Sequence, residues 1–347
     1  MIKVEDKYMA RCLQLASYAK GETSPNPMVG AVIVHKDKII GEGFHHKAGE
    51  PHAEVNAIAA VSDQRLLTES TLYVNLEPCS HYGKTPPCTE LIIKKGIPRV
   101  IVGCLDPFPA VSGQGIKMLR EAGVEVMAGV MEKESRELNR CFITMHEKQR
   151  PYIILKWAQS QDGFIDHIRT DNSLPPVQFS TPQSRRQVHK LRTEVSAIMV
   201  GTNTAILDNP SLTVRHWEGK SPVRIAIDRD LRIPTDSHLL DKAIPTLIFT
   251  SKQKENVLNT EYITIDFSKN ILPLILNELY KRNLDSLLVE GGTFLLQQFI
   301  QSEIWDEIRV ETAPFLLNTG VKAPDIPLDK TYTSICNNSI RIYKNSH

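Results

Sequence analysis

The fold of the first half of this chain is decided by the stretch Glu77-Pro78-Cys79-Ser80-His81-Tyr82-Gly83-Lys84-Thr85-Pro86-Pro87-Cys88. A shorter stretch, Pro51-His52-Ala53-Glu54, lies upstream of it. One imidazole and two thiols are donors that Zn2+ prefers in tetrahedral sites, and three protein donors leave the fourth position open to water. Bound zinc lowers the pKa of that water to about 7, which supplies a nucleophile at neutral pH. The sequence therefore predicts a catalytic zinc site at His52, Cys79 and Cys88.

Glu54 lies two residues after His52, at the start of a predicted helix. Its carboxylate is placed to move protons between a zinc-bound water and a leaving amine. A His-x-Glu followed by Pro-Cys-x-x-Cys is typical of zinc nucleobase deaminases, but here eight residues separate the two cysteines. A closed structural zinc site is the alternative, with His45, His46 or His81 as the fourth donor. It would leave Glu54 without a role.

Predicted strands and helices alternate around these stretches, which is typical of an α/β layer structure. The helices span residues 4–19, 52–61, 88–95 and 115–122, and the strands span 29–34, 39–44, 71–76, 99–103 and 124–128. A polar segment at residues 146–151 then interrupts the pattern. We therefore predict two domains, residues 1–147 and residues 148–347.

The alternation restarts in the second half and predicts a mostly parallel sheet that is covered on both faces. The predicted strands are 152–156, 197–201, 223–228, 246–250, 286–290 and 307–313, and the predicted helices are 182–193, 271–282 and 293–302. No Gly-x-Gly-x-x-Gly follows a strand, so the usual dinucleotide fingerprint is not predicted. Gly291-Gly292 instead precedes a helix, where backbone amides can face a phosphate. An ordinary strand-to-helix turn is the alternative.

Composition bounds the function classes that are open to this chain. Its 347 residues are 41 % hydrophobic and 23 % charged, as in ordinary two-domain globular proteins. A net charge of +1 and 6 % aromatic residues give little support to a nucleic-acid deaminase. The charged start does not resemble a signal peptide, and no apolar run approaches the ~18 residues of a membrane span. We expect a cytoplasmic protein with no nucleic-acid or membrane partner, in which clustered cysteines bind metal.

Three motifs of the first half together resemble the bifunctional riboflavin biosynthesis deaminase/reductase family, RibD. They are Ser24–Gly30, His45–Glu54 and Glu77–Cys88, and the long insert between the two cysteines is found in that family. The resemblance implies a cytidine-deaminase-like α/β/α domain that binds one Zn2+ per chain, with Glu54 as the catalytic proton shuttle. It further implies substrate contacts from five residues: Asn26, His45, His81, Lys84 and Thr85.

The second half resembles the reductase half of the same family over roughly residues 151–315, through Asp162-Gly163, Asp208–Arg215 and Glu290–Gly292. The resemblance implies a dihydrofolate-reductase-like α/β domain that uses NADPH. Cofactor contacts are implied for Gln159, Phe179, Thr204, Asp208, Arg229, Gly292 and Thr293, and substrate contacts for Val177, Arg192, Leu212, Arg215 and Glu290. Arg192 and Arg215 suit a phosphate, because a guanidinium pairs bidentately with phosphate oxygens. The chain has Val177-Gln178-Phe179 where the family has Ser-x-Trp.

The resemblance implies two successive reactions on one pyrimidine ribose phosphate. The first is the hydrolytic deamination of 2,5-diamino-6-ribosylamino-4(3H)-pyrimidinone 5′-phosphate, and the second is the NADPH-dependent reduction of the ribosyl side chain to ribityl. Because the chain departs from the family at Val177 and Phe179, the alternative is a deaminase with a degenerate C-terminal binding domain. We also expect a homo-oligomer, either a dimer or a tetramer.

Overall fold

The protein is described by a computed structural model that places residues 4–82, 86–108, 112–327, 332–335 and 340–345. The chain divides into two compact units, Met1–Gln149 and Arg150–His347. Each unit has its own sheet and its own hydrophobic core. Among the described residues, every helix is too short or too polar to traverse a lipid bilayer.

The first unit is a five-stranded sheet between two layers of helices. Its strands lie in the order β2-β1-β3-β4-β5; β1 is antiparallel to both of its neighbours, and β3, β4 and β5 run parallel. The strands are β1 (Gly30–His35), β2 (Lys38–Phe44), β3 (Thr71–Leu76), β4 (Arg99–Cys104) and β5 (Glu125–Ala128). The helices are α1 (Val4–Ser17), α2 (Ala53–Ala59), α3 (Cys88–Lys94), α4 (Gln114–Glu121), α5 (Glu132–Leu138) and α6 (Arg140–Lys148), with a short 3-10 helix at Gln64–Glu69.

Alternating side chains on β1 bury both faces of this sheet, because successive residues of a strand point to opposite sides. Ala31 and Ile33 pack in the core that α2, α3 and α4 cover, whereas Val32 and Val34 pack in the core that α1 covers. Helix α2 approaches β2 closely. A Cβ atom at Gly43 would lie 2.4 Å from the backbone nitrogen of Ala57. The absence of a side chain at Gly43 therefore sets the position of α2, which begins directly after His52 and carries Glu54.

The second unit is built on a nine-stranded sheet in the order β11-β10-β9-β8-β12-β6-β13-β16-β15. Within this sheet, as far as the structure describes it, the pairs from β11 to β13 are parallel and the two pairs that involve β16 are antiparallel. The strands are β6 (Tyr152–Gln159), β7 (Phe164–Asp166), β8 (Ala197–Gly201), β9 (Val223–Ile227), β10 (Thr246–Thr250), β11 (Thr260–Thr264), β12 (Ser286–Val289), β13 (Glu307–Thr312), β14 (Val321–Lys322), β15 (Tyr332–Ile335) and β16 (Ile340–Lys344), with β7 and β14 forming a separate pair. The mostly parallel sheet predicted from the sequence is confirmed.

The described residues of the second unit form four α-helices, α7 (Pro182–Thr193), α8 (Thr202–Asp208), α9 (Ile271–Lys281) and α10 (Thr293–Gln301), and a 3-10 helix at His238–Leu240. Helix α7 begins after Thr181, whose hydroxyl accepts a hydrogen bond from the Ser184 amide. This cap, together with proline at the first helical position, fixes where α7 starts. Helices α8 and α10 begin directly beyond the carboxyl ends of β8 and β12. Parallel α/β sheets bind ligands at that edge.

Candidate active sites

Three donors converge at one end of the first sheet. His52 is the residue before α2, Cys88 is the first residue of α3, and Cys79 lies in the loop after β3. Their ligand atoms all lie within 4.8 Å of one another, with His52 Nδ1 3.6 Å from Cys79 Sγ and 3.4 Å from Cys88 Sγ. One nitrogen and two sulfurs at these separations fit a tetrahedral Zn2+ site. The structure therefore brings together the three predicted metal ligands.

The two thiols differ in acidity because they interact directly. Hydrogen bonds from Cys88 and from His52 lower the pKa of the Cys79 thiol to about 4, although its burial opposes this. The Cys88 backbone amide also donates to Cys79 Sγ at 3.2 Å. The same hydrogen bond to Cys79, together with burial, raises the pKa of Cys88. Two sulfurs that compete for one negative charge are an arrangement that a divalent cation stabilises, because it binds both as thiolates.

Glu54 lies in the first turn of α2, and its side chain is buried, with 3 % of the residue exposed. Burial, and to a smaller extent the nearby negative charge of Cys79, raise the pKa of its carboxyl to about 7. A carboxyl group that titrates near neutrality can both accept and return a proton during one reaction cycle. Its position beside the three donors, but outside that set, is suited to a proton shuttle.

Asn26 and His45 form one wall beside the metal donors. His45 is buried, and its Nδ1 donates to the Pro51 carbonyl at 3.1 Å. Its Nε2 therefore accepts from Asn26 Nδ2 at 3.2 Å, which fixes the orientation of the Asn26 amide. Burial lowers the pKa of His45, so the ring is neutral at pH 7. His81 is exposed, and Lys84 and Thr85 lie outside the described residues.

Two asparagines that the sequence analysis missed hold the Asn26-containing loop in place. Asn139, between α5 and α6, accepts from the Met28 amide at 2.8 Å and donates to the Met28 carbonyl at 2.9 Å. Asn75, in β3, accepts from the Gly30 amide at 2.8 Å and donates to the same Met28 carbonyl at 3.1 Å. Asparagine is depleted in strands. Asn75, within the otherwise apolar strand β3, could therefore have been recognised from the sequence as a residue with a structural role.

The second unit contains a cleft of about 1010 Å³ beyond the carboxyl ends of its parallel strands. Nine of the predicted residues line it: Val177, Phe179, Arg192, Thr204, Asp208, Leu212, Glu290, Gly292 and Thr293. Lys156, Asp166 and Arg169 also line the cleft, and the sequence analysis missed all three. The structure thus brings together residues from separate helices, strands and loops at one ligand-sized cavity.

Arg192 and Glu290 form a partly buried ion pair in this cleft. Arg192 Nη2 lies 2.7 Å from Glu290 Oε2, and Arg192 Nη1 donates to the Thr213 carbonyl at 3.0 Å. Burial opposes ionisation of Glu290, but Arg192 and Lys156 hold its pKa below the usual value. Within the described part of the chain, Arg192 Nε and Glu290 Oε1 have no hydrogen-bond partner. Buried polar atoms of this kind normally have partners, so this pair presents a donor and an acceptor to a polar ligand.

The glycine turn before α10 forms another part of the cleft. The Gly292 amide donates to Thr204 Oγ1 at 3.0 Å, which joins this turn to α8. A Cβ atom at Gly292 would meet Thr204 Oγ1 at 3.6 Å and would fill space that is now open. Open space beside the N-terminus of a nine-residue helix accommodates the phosphates of a dinucleotide. The residues present therefore fit NADPH.

Three predicted residues, Gln159, Arg215 and Arg229, are not among the described residues that line this cleft. Gln159 Oε1 accepts from Trp157 Nε1 at 2.7 Å. Arg215 donates to Ser211 Oγ at 2.9 Å. Arg229 lines a separate groove of about 540 Å³.

Comparison with known proteins assigns a class to each unit. Residues 2–104 match the cytidine and deoxycytidylate deaminase zinc-binding region, and residues 151–328 match the RibD C-terminal domain. The chain is thus a two-domain enzyme that joins a zinc-dependent deaminase to a reductase. These matches imply Zn2+ and NADPH as its cofactors, in agreement with the donor cluster of the first unit.

Full-length relatives identify the family. The chain is 43 % identical to the riboflavin biosynthesis protein RibD of Aquifex aeolicus over 332 residues, which cover 94 % of this chain and 92 % of that protein. It superposes on Acinetobacter baumannii RibD with a TM-score of 0.86 at 31 % identity, covering 98 % of both chains. It also superposes on a Thermotoga maritima diaminohydroxyphosphoribosylaminopyrimidine deaminase/5-amino-6-(5-phosphoribosylamino)uracil reductase, with a TM-score of 0.87 at 36 % identity, covering 98 % of this chain and 97 % of that one. The chain belongs to the RibD family of riboflavin biosynthesis proteins.

Family membership confirms the predicted fold class of both domains and the resemblance from which it was inferred. The curated relatives match along both units rather than along the first alone. This coverage argues against the alternative of a deaminase with a degenerate C-terminal domain.

Proposed function

We propose that this chain catalyses two consecutive steps on one pyrimidine ribose phosphate. The first unit deaminates 2,5-diamino-6-ribosylamino-4(3H)-pyrimidinone 5′-phosphate, and the second reduces the ribosyl side chain of the product with NADPH. The observation that carries this proposal is the presence of two separate sites, each with its own chemistry. One is a three-donor zinc site beside buried Glu54, and the other is a cleft with the Arg192–Glu290 pair and the Gly292 turn.

Deamination replaces the amino group of an amidine carbon by an oxygen from water. Zinc, when bound by His52, Cys79 and Cys88, supplies an activated water. Glu54 is placed to accept a proton from the attacking water and to return it to the nitrogen that leaves as ammonia, because burial raises the pKa of its carboxyl above the usual value. Asn26 directs its amide at the pyrimidine edge, in the orientation that neutral His45 imposes. We propose His81, Lys84 and Thr85 as further contacts to the substrate.

Reduction adds a hydride to C1′ of the opened ribose and a proton to the adjacent nitrogen. NADPH supplies the hydride, and the protein supplies binding, orientation and electrostatics. Arg192 and Glu290 present an unsatisfied donor and acceptor to the polar side chain of the substrate. We propose that Val177, Leu212 and Arg215 complete the substrate site. Cofactor contacts are proposed for Gln159, Phe179, Thr204, Asp208, Arg229, Gly292 and Thr293.

We place the deaminase in residues 1–147 and the reductase in residues 148–347. The division of the chain into two compact units after Gln149 supports this boundary. We also propose that the protein acts in the cytoplasm as a homo-oligomer, either a dimer or a tetramer.

One incubation tests both halves of this proposal. The zinc-loaded chain is mixed with the diaminopyrimidinone phosphate, with and without NADPH, and the products are followed by mass spectrometry. Without NADPH we expect only the mass change for exchange of NH by O, and with NADPH a further gain of two hydrogens. An unchanged substrate would refute the deaminase assignment. Deaminated material that NADPH leaves unchanged would refute the reductase assignment alone.

A further inference from the structure

Residues 167–181 join β7 to α7 by turns and extended chain, and we call this segment the strap. Five of its residues line the reductase cleft: His167, Arg169, Pro176, Val177 and Phe179. The strap includes the Val177-Gln178-Phe179 stretch, at which this chain departs from the Ser-x-Trp motif. A segment without a helical or strand ladder needs other contacts to hold it in one conformation.

Arg169 supplies several of those contacts. Its guanidinium binds the carboxylate of Asp166, with Nε 2.7 Å from Oδ2, and the carboxylate of Asp208 at the end of α8. It also donates to the Leu207 carbonyl at 2.9 Å and to the Leu174 carbonyl at 3.3 Å. Only 3 % of the Arg169 side chain is exposed. One buried guanidinium thus joins β7, the C-terminal end of α8 and the middle of the strap.

The same contacts fix the part of the strap that faces the cleft. Asp166 uses its other oxygen, Oδ1, to accept from the Val177 amide at 3.1 Å. Phe179 then stacks on Phe315, with ring centroids 5.6 Å apart and an interplanar angle of 5°. The Val177 backbone is therefore held by its hydrogen bond to Asp166, and the Phe179 ring is held by its contact with Phe315.

Charge gives Arg169 a second role in this cleft. Asp166 and Asp208 are both cleft residues, and without a cation between them their negative charges would repel the phosphates of a dinucleotide. Burial raises the pKa of Asp208 and Asp166 raises it further, whereas Arg169 opposes both effects. Arg169 therefore compensates the negative charge of two carboxylates that lie in the wall of an anion-binding cleft.

We propose that Arg169 is a positioning residue of the reductase: by joining Asp166 to Asp208, it fixes the strap as a wall of the NADPH site. This inference rests on the proposed reductase function. A guanidinium is required because it presents several donors in a fixed fork, whereas an ammonium is a single point charge.

The test compares NADPH binding by the full-length zinc-loaded chain and its Arg169→Gln and Arg169→Lys variants. NADPH dissociation constants are measured by fluorescence titration, and hydrogen exchange is measured across the strap. We expect Arg169→Gln to weaken NADPH binding by roughly 10- to 100-fold, since hydrogen bonds between charged groups are lost. Faster exchange should be confined to the strap, and KM for NADPH should rise more than kcat falls. The NADPH affinity of Arg169→Lys should lie between those of the unsubstituted chain and of Arg169→Gln, because lysine keeps the positive charge but lacks the several donors of a guanidinium.

Two measurements separate this inference from a general loss of stability. The melting transition of each variant reports whether the second unit has folded, because the deamination rate reports only the first unit, which has a separate core. Arg282→Gln is a matched control, since Arg282 binds Glu261 and Glu278 and lies outside the lining of the cleft. We expect it to leave NADPH affinity unchanged. If Arg169→Gln does not fold, Asp166→Asn tests the same connection, because it removes a charge from the Arg169 contact and weakens the hold on the Val177 amide.

Each outcome has one meaning. Equal NADPH affinity in the unsubstituted chain and in the folded Arg169→Gln or Asp166→Asn variant overturns the inference and leaves the proposed function intact. A lower melting temperature with unchanged affinity and unchanged strap exchange likewise reduces Arg169 to a structural residue. An unsubstituted chain that binds no NADPH refutes the reductase half of the proposed function, and the inference falls with it.

Discussion

Replacing Glu54 by glutamine is expected to abolish deamination while zinc stays bound. The carboxyl group is buried and has a pKa of about 7, so near neutrality it can take a proton and give it back. Glutamine keeps the size of the side chain but can do neither. Loss of a positioned proton-transfer group costs about 10²- to 10⁴-fold in rate. At 1.36 kcal/mol for each factor of ten, the barrier rises by about 3–5 kcal/mol.

Three measurements on the same sample test this prediction. Ammonia release reports deamination, metal analysis reports zinc content, and NADPH oxidation with previously deaminated substrate reports the second unit. Zinc content should not change, because Glu54 is outside the donor set of His52, Cys79 and Cys88. Glu121→Gln is the matched control, since Glu121 is an exposed carboxylate on α4.

The pH dependence of the rate follows from the same carboxyl group. The first proton transfer requires ionised Glu54, and burial raises its pKa, so the rate should fall as the pH is lowered through that pKa. A bound cation nearby stabilises the carboxylate and moves the midpoint below 7. Our reasoning is refuted if Glu54→Gln deaminates at a rate close to that of the unsubstituted chain, or if it loses its zinc.

Three further substitutions test other parts of the structure. Cys88→Ser should lose much of the zinc and the deaminase activity, because a thiolate donor is removed; full metal content in this variant would contradict the ligand set. Arg192→Leu should abolish reduction and destabilise the second unit by about 3 kcal/mol in urea unfolding, because it leaves Glu290 buried without its partner; unchanged unfolding would show that the pair is unimportant. Gly43→Ala should cost about 1–3 kcal/mol and weaken zinc binding, because its Cβ would displace Ala57 and with it α2; a fully stable, zinc-loaded variant would refute this account of the close approach.

The sequence was most informative where the chemistry is local. His52, Cys79 and Cys88 were identifiable because few residue types bind zinc, and prolines mark the turns that carry them. Strand and helix periodicity also predicted the mostly parallel sheet of the second unit, since buried strands are nearly continuous apolar runs. These features depend on neighbouring residues and not on distant contacts.

The residues that were missed act through contacts between distant parts of the chain. Asn139 binds Met28 across 111 positions, and no local pattern marks it as part of a ligand site. Lys156 lies in a strand among apolar residues, where its charge had no assigned partner until Glu290 was placed near it. Arg169 belongs to a segment without periodicity, so its two aspartate partners became evident only from the folded chain.

The bonds between Asn139 and Met28 bear on how the deaminase can be dissected. The match to the zinc-binding region ends at residue 104, and all three metal ligands lie before that point. A fragment that ends there would keep its metal donors. It would lose the two hydrogen bonds by which Asn139 holds Met28, in the loop that carries Asn26. The same cut would remove α4 and β5, which contribute to the core of the first unit, so a minimal working deaminase has to extend through the junction of α5 and α6.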